Sequence, residues 1–330
     1  MPPARSPILG ALIVVLSAAM FGTLGVASRF AYDQGLEPFA LVAWRAGVGA
    51  IGLWTAILLI RRPRSIRAGF GRLDGTGRRW LVGAMVLGTA LNLAAFLSFD
   101  HTTVALALLG FYTYPALVAA GAVALGRERL DAGKVVALLM SIGGMAAVVL
   151  GGNGETAAPG NNALGIVLAF AASLFQTAFI LTSRSYARLP ADQAMGSVLA
   201  GSAVVALAIS IVTVGPAALA LPLRSPPLLT LLVLVGLFAA ALPSVMFLTG
   251  IRWIGGVRTG ILMLFEPVVG VALAAVLLAE GLTIVQALGG VTILAAALIV
   301  QRGSRSGGET DLDREGISEA VVVMPAPGGP

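Results

Sequence analysis

The side chains of this chain that can do chemistry are polar groups embedded in long apolar stretches. Glu266 stands about seven residues inside one stretch, where a carboxylate can carry a proton or receive an ammonium group. The alternative is a structural carboxylate that bonds the backbone groups freed by Pro267. Tyr112 and Tyr114 belong to the run Phe-Tyr-Thr-Tyr-Pro of another stretch, where they can stack on a ligand or hydrogen-bond it. Their hydroxyls can equally satisfy neighbouring helices.

Further side chains lie at a comparable depth and are candidates for the lining of a binding site. The amides of Asn92 and Gln176 can contact a ligand or make hydrogen bonds between helices. Met20 and Phe21 can line a cavity or pack in a core, and Ser244 follows a proline that predicts a broken helix. The candidate substrate-binding residues are therefore Tyr114, Glu266, Asn92, Gln176, Tyr112, Met20, Phe21 and Ser244.

The composition excludes several other kinds of site. The chain has no Cys and a single His, His101, so thiol chemistry and His-based metal clusters have nothing to be built from. The sequence also has no Walker-type loop for ATP. Because an enzyme would need a nucleophile with a base, or a set of metal ligands, we expect neither an enzyme nor a bound metal or cofactor.

The elements that carry these residues are predicted to span a membrane. Hydrophobic residues make up 58% and charged residues 11% of the chain, whereas a soluble domain carries about 25% charge. The apolar runs are continuous rather than alternating, which favours helices over barrel strands. The sequence thus predicts an all-α membrane protein with ten transmembrane helices, spans 1 to 10: residues 8–31, 39–60, 80–99, 103–125, 134–150, 162–183, 192–214, 228–250, 259–279 and 284–300.

One stretch of the sequence occurs twice, 152 residues apart. Pro115 and Glu128 bound the first copy, and Pro267 and Glu280 bound the second at the same spacing. Two polar landmarks at equal spacing indicate two related halves. Because each half holds five spans, an odd number, the second half must enter the membrane from the opposite side. We therefore predict two inverted five-helix repeats, residues 8–150 and 163–301, joined by an external linker, 151–162.

Basic residues predict the orientation. Nearly all of the 21 Lys and Arg fall on one side of a ten-span alternation, seven of them in the segment 61–79. By the positive-inside rule, residues 1–7 and the tail 302–330 are cytoplasmic, and the protein lies in the cytoplasmic (inner) membrane. The composition of the tail predicts disorder. Since the membrane accounts for the net charge of +6, no nucleic-acid partner is expected.

Arg45 is a basic residue within a span. It lies about six residues inside the outer edge of span 2, so its side chain can snorkel to the membrane surface. An ion pair with Glu266 would have to bridge on the order of 10 Å along the membrane normal. We therefore expect no such pair.

Inverted repeats around a polar cluster near mid-membrane are the architecture of many secondary transporters, which alternate access to a site between the repeats. This pattern predicts a carrier for a small molecule, with protons as a candidate coupling ion. A channel or a scaffold is the remaining alternative. We expect a monomer in the lipid bilayer, and a homodimer stays open.

The landmark residues resemble those of the drug/metabolite transporter superfamily, and within it the EamA-type permeases. These ten-helix proteins carry Pro…Gly-x-Glu-x-Leu near the fourth and ninth helices, which corresponds here to Pro115…Gly126-Arg127-Glu128-Arg129-Leu130 and to Pro267…Ala279-Glu280-Gly281-Leu282. The second copy departs from the pattern at the Gly-x step, where Leu278 and Ala279 stand. The resemblance implies a metabolite permease and, as a first expectation, export of amino acids, including aromatic ones. Sugar, nucleotide-sugar and drug carriers are the alternatives that it leaves open.

Overall fold

The computed structural model describes residues 7–101, 107, 110–127, 131–151, 162–277, 283–296 and 298–299, and these residues form helices and turns without a strand. Six spans are long and apolar enough to cross a membrane: span 1 (Pro7–Asp33), span 2 (Pro38–Ile60), span 3 (Gly75–Ser98), span 6 (Ala163–Tyr186), span 7 (Ala191–Thr213) and span 8 (Pro226–Ile254). Most of the predicted linker, residues Glu128 and Glu280 and the predicted disordered tail lie outside the described residues.

The other predicted spans are helical as well, over shorter described lengths. They are span 4 (Tyr114–Ala124), span 5 (Ala132–Leu150), span 9 (Gly256–Met263 and Glu266–Leu277) and span 10 (Ile284–Ala296). The predicted fold class, an all-α membrane protein whose ten helices form two inverted five-helix repeats, is confirmed.

The outward-facing side chains of the bundle are apolar, as a lipid solvent requires. At the end of span 2, Leu59 is 83% exposed and Ile60 is 82% exposed. In water such side chains would be buried, because removing apolar surface from water is favourable. The interior is instead rich in small residues, which lets helix backbones approach closely. A Cβ added at Gly49 of span 2 would lie 2.9 Å from the carbonyl oxygen of Gly236 in span 8.

Two short helices outside the predicted spans show the repeat directly. Pro63–Gly71 connects spans 2 and 3, and Gly215–Arg224 connects spans 7 and 8. Their first residues are 152 positions apart, the same shift that relates Pro115 to Pro267. Because an odd number of spans separates them, the two helices lie at opposite ends of the bundle. We call the end that carries Pro63–Gly71 the arginine-rich end and the other the opposite end.

The two repeats are interleaved rather than side by side. Spans 2 and 7 pack against each other, span 3 packs on span 6 as span 1 does on span 8, and span 4 packs on span 6 as span 1 does on span 9. Each of these contacts joins one repeat to the other. Exchanging the two repeats, which turns span 1 into span 6 and span 3 into span 8, converts each contact into its counterpart. The centre of the bundle is therefore an interface between repeats.

Candidate functional site

Span 9 breaks at the residue before Glu266, and this break sets the carboxylate in the interior. Its first helix ends at Met263, Leu264 and Phe265 form a turn, and Glu266 begins the second helix. Pro267 explains the break, because proline has no N–H to continue the helix and disfavours helical geometry at the preceding residue. A carboxylate in a first helical turn also interacts favourably with the free backbone N–H groups there.

Span 4 breaks at the equivalent position of the first repeat. Tyr112 and Thr113 form the turn and Tyr114 begins the helix, 152 residues before Glu266. The Tyr112 hydroxyl lies near the Glu266 carboxylate and interacts with it electrostatically. The Tyr114 ring lies 6.3 Å from the Tyr112 ring, and both side chains are 1% exposed. The two breaks therefore meet at the interface between the repeats.

Phe111 completes an aromatic cluster with the two tyrosines. Its ring centroid lies 5.2 Å from that of Tyr112 and 5.4 Å from that of Tyr114, at tilted angles. Such tilted pairs stabilise by about 0.5–1.5 kcal/mol beyond their area burial. Thr113, between the tyrosines, shares a hydrogen bond with Ser173 of span 6 at 2.8 Å. The cluster is thus held in place by its own rings and by span 6.

Span 1 also breaks beside this site. Its helix stops at Gly22, and the hydroxyl of Thr23 donates a hydrogen bond to the Met20 carbonyl at 2.7 Å. Gly22 packs directly on the backbone of Glu266: an added Cβ would lie 2.7 Å from the Glu266 carbonyl oxygen. The predicted site residues Met20 and Phe21, both half-buried, therefore lie next to the break of span 9.

Arg45 is the functional candidate that the sequence reasoning missed. It was expected to snorkel outward, but it is only 8% exposed and points between spans. One of its terminal nitrogens donates a hydrogen bond to the Asn92 carbonyl of span 3, and its guanidinium lies 5.6 Å from the centre of the Phe96 ring. The signal that could have found it is the amide at Asn92, a half-buried partner for a charge that is costly in lipid.

Arg45 and Glu266 act on one another but do not pair. Their charges attract one another, yet their side chains make no contact of 4.0 Å or less, so the expectation that they do not pair is met. Glu266 is half-buried. The region therefore holds one negative and one positive group that do not neutralise each other by contact.

Two predicted site residues are not linked to this group by hydrogen bonds. Gln176 of span 6 is buried, and Ser244 of span 8 is half-buried. Within the described residues no hydrogen bond joins either to Glu266, the tyrosines or Arg45. The helix break predicted at Ser244 takes a different form: span 8 widens into a π-turn at Leu237–Ala241, just before Pro243, and continues. A π-turn accommodates the missing N–H of Pro243 without ending the helix.

The site is bracketed by contacts at both ends of the bundle. At the arginine-rich end, Arg61 pairs with Asp192 at 2.8 Å. At the same end, Arg252 donates to the Leu189 carbonyl at 2.8 Å. At the opposite end, the Trp44 indole donates to the Leu219 carbonyl of the Gly215–Arg224 helix at 2.9 Å. The Trp44 bond thus ties the Gly215–Arg224 helix to span 2.

Comparisons with known proteins agree with this architecture. The sequence model of the EamA-like transporter family matches residues 8–150 and 163–302, once in each half. A solved structure titled "Crystal structure of protein" is similar in fold, with a TM-score of 0.73 and 20% sequence identity over 90% of this chain and 98% of its own. No curated protein gives a significant match. The double match confirms the resemblance carried by the two landmark prolines.

Proposed function

The chain belongs to the EamA-like transporter family, and on that premise we propose that it exports small neutral amino acids, aromatic ones included, by alternating access. The family is one of transporters. The substrate class is our proposal, and it rests on the polar groups at the interface between the repeats.

The observation that carries the proposal is that the opposite charges of Glu266 and Arg45 act on one another without forming an ion pair. A neutral amino acid presents an ammonium and a carboxylate, which are complementary to these two side chains. In a water-poor interior each such charge is costly unless it meets its opposite. A zwitterion bound between the repeats would meet both charges at once.

The aromatic cluster supports an apolar or aromatic substrate side chain. Phe111, Tyr112 and Tyr114 present ring faces and edges beside the carboxylate, and ring pairs of this kind are favourable. A phosphate-bearing sugar or nucleotide-sugar would instead call for several cations. Of the cations that the structure describes, Arg45 is the one whose charge acts on Glu266. This favours the amino acid over those alternatives.

Transport requires that the site open to each side in turn. We propose that the short helices Pro63–Gly71 and Gly215–Arg224 separate alternately from the spans they cover, and that Glu266 exchanges a coupling proton for the substrate ammonium. The distribution of arginine supports cytoplasmic termini and an inner-membrane location. Each step uses groups already at the interface between the repeats.

The test is uptake and counterflow of labelled amino acids by the full chain in proteoliposomes. We expect Glu266→Gln and Tyr114→Ala to reduce transport by roughly tenfold or more, the ratio that 1.4 kcal/mol of lost binding represents. Glu37→Gln, which changes an exposed carboxylate at the opposite end, is the matched control and should transport normally. Normal transport by both site variants, correctly inserted, would remove the site assignment. A wild-type protein that moved sugars or cationic drugs but no amino acid would overturn the substrate class.

A further inference from the structure

Contacts hold the Arg45 side chain in place, but they do not occupy all of its hydrogen-bond donors. Its side chain is 8% exposed, one terminal nitrogen donates to Asn92, and the guanidinium covers the Phe96 ring at 5.6 Å. The Nε atom is buried and, within the described part of the chain, makes no hydrogen bond. A guanidinium carries five N–H donors in a fixed fork. Donors therefore remain for a further acceptor.

Asn92 acts as the support of this guanidinium. The Asn92 amide nitrogen donates to the Gly88 carbonyl one turn earlier in span 3, at 2.7 Å. This bond fixes the amide so that its oxygen is the group turned toward Arg45. The ring of Phe96, one turn later on the same helix, covers the guanidinium. Span 3 thus orients the fork through two consecutive turns.

A cation this deep in an apolar bundle is expensive unless it has an anionic partner. The carboxylate whose charge acts on it, Glu266, lies beyond ion-pair distance. If Arg45 were purely structural, an ion pair with that carboxylate would have a lower free energy than two charges within the bundle that are not in contact. Neither charge is therefore neutralised by contact with the other, and a molecule that carries both signs would supply both missing partners.

We infer that Arg45 binds the carboxylate of the transported molecule through the donors that Asn92 leaves open, so that transport requires a free carboxylate. Planar carboxylates fit a guanidinium fork in a bidentate manner that a lysine ammonium cannot reproduce. Asn92 is then a positioning residue, and Glu266 receives the ammonium at the other end of the substrate. This inference rests on the proposed function and specifies which group of the substrate is recognised.

The experiment compares each transported amino acid with its carboxyl amide, L-phenylalanine with L-phenylalaninamide first, in proteoliposomes of the full chain. The wild-type protein should prefer the acid by at least about tenfold in kcat/KM, a ratio equivalent to 1.4 kcal/mol. Arg45→Gln should raise KM for the acid and bring the ratio near one. Arg45→Lys should fall between the two, and Asn92→Ala should lower the ratio less than Arg45→Gln. Arg224→Gln, an exposed arginine at the opposite end, should leave it unchanged.

The outcomes separate the inference from the proposed function. If the wild-type protein moves amino acids but moves their amides equally well, the inference is wrong and the function stands. The same holds if Arg45→Gln keeps the wild-type preference. If no amino acid is moved, both are wrong. Should Arg45→Gln fail to fold, the wild-type ratio and Arg45→Lys still decide, because a structural arginine gives no reason for a preference between acid and amide.

Discussion

Tyr114 and Glu266 are equivalent residues of the two repeats: each begins the helix that follows a two-residue turn, and each precedes a proline. The duplication therefore supplies the same backbone geometry twice, while the side chains at the equivalent position differ. One repeat contributes a buried phenol and the other a carboxylate, and the hydroxyl of Tyr112 lies near that carboxylate across the interface. A substrate held there contacts different chemistry on its two sides. This asymmetry lets a symmetric scaffold orient a molecule that has two unlike ends.

The contact between spans 1 and 9 gives a prediction about packing at the site. Gly22→Ala places a Cβ 2.7 Å from the Glu266 carbonyl oxygen and 3.0 Å from the Cβ of Val269, so the helices must separate. Overpacking of this kind costs about 1–3 kcal/mol. We expect a lower midpoint of thermal unfolding in nanodiscs, followed by intrinsic tryptophan fluorescence, together with slower transport.

Gly25→Ala is the matched control in the same span. A Cβ at Gly25 meets nothing within 4 Å, and alanine is the better helix former. Its unfolding midpoint should equal or slightly exceed that of the wild type. If Gly22→Ala behaved in the same way as Gly25→Ala, spans 1 and 9 would not be in close contact at Glu266.

The helix Pro63–Gly71 gives a second pair of glycines for the arginine-rich end. A Cβ at Gly69 would lie 2.3 Å from the Oε1 atom of Gln193, a fully buried side chain. We expect Gly69→Ala to weaken the docking of this helix by about 1–3 kcal/mol. Limited trypsin digestion should then cleave faster at Arg64 and Arg67, which the helix carries on its exposed face.

Removing the clash should restore the docking. The double variant Gly69→Ala with Gln193→Ala makes room for the new Cβ, so its cleavage rate should return toward that of Gln193→Ala alone. Gly71→Ala adds a Cβ that meets nothing within 4 Å and should leave cleavage unchanged. Equal cleavage of all these variants would mean that Gly69 does not approach Gln193 in the membrane.

The sequence predicts the membrane helices well because apolar length is a direct consequence of bilayer thickness. The sequence also predicts the repeat. Pro115 and Pro267 constrain the backbone at equivalent positions of the two halves, and they remain recognisable although the apolar side chains around them differ. The short helices Pro63–Gly71 and Gly215–Arg224 escape prediction because each is brief and rich in Gly or Pro. Their helicity comes from tertiary packing rather than propensity.

The candidate site is predicted in part. Glu266, Tyr112 and Tyr114 lie together where spans 4 and 9 break, and Asn92 contacts Arg45. Depth in the span is the signal that selects these side chains as candidates. The orientation predicted for Arg45 is wrong because the position of a residue in a span gives its depth in the membrane but not the direction in which its side chain points. Whether an arginine turns outward or inward depends on a partner in another span, here Asn92, and no local pattern reveals it.

The inverted arrangement predicts opposite accessibility for equivalent helices. Ala68 and Ala217 are exposed residues of Pro63–Gly71 and Gly215–Arg224. The natural sequence has no Cys, so a single introduced cysteine reports its own position. In intact cells a membrane-impermeant maleimide should label Ala217→Cys, and it should label Ala68→Cys only after permeabilisation, because the positive-inside rule predicts a cytoplasmic arginine-rich end. Labelling of both from the same side would contradict the inversion, and a reversed pattern would contradict only the orientation.

Asp131 gives a prediction about pH outside the membrane-spanning segments. Its side chain caps span 5 by accepting a hydrogen bond from the Lys134 backbone N–H at 2.8 Å. This bond, helped by the Lys134 ammonium at 3.6 Å, lowers the pKa of the carboxyl below its usual value. A carboxyl with a lowered folded-state pKa stabilises the fold above the unfolded-state pKa of about 4, and the stabilisation is lost as the pH falls through the folded-state pKa.

Asp131→Ala should therefore lower the free energy of unfolding by about 1 kcal/mol at pH 7, the usual value of an N-cap. Asp131→Asn keeps a good capping side chain without the charge, so it should lose less. The gap between the wild type and Asp131→Asn should close as the pH drops below about 4, since both caps are then neutral. Unfolding midpoints measured from pH 3 to pH 7 test this, with Asp33→Ala, at the C-terminal end of a helix in span 1, as the control that should not destabilise. A constant gap over that range would mean that the charge of Asp131 does not act on the helix N-terminus.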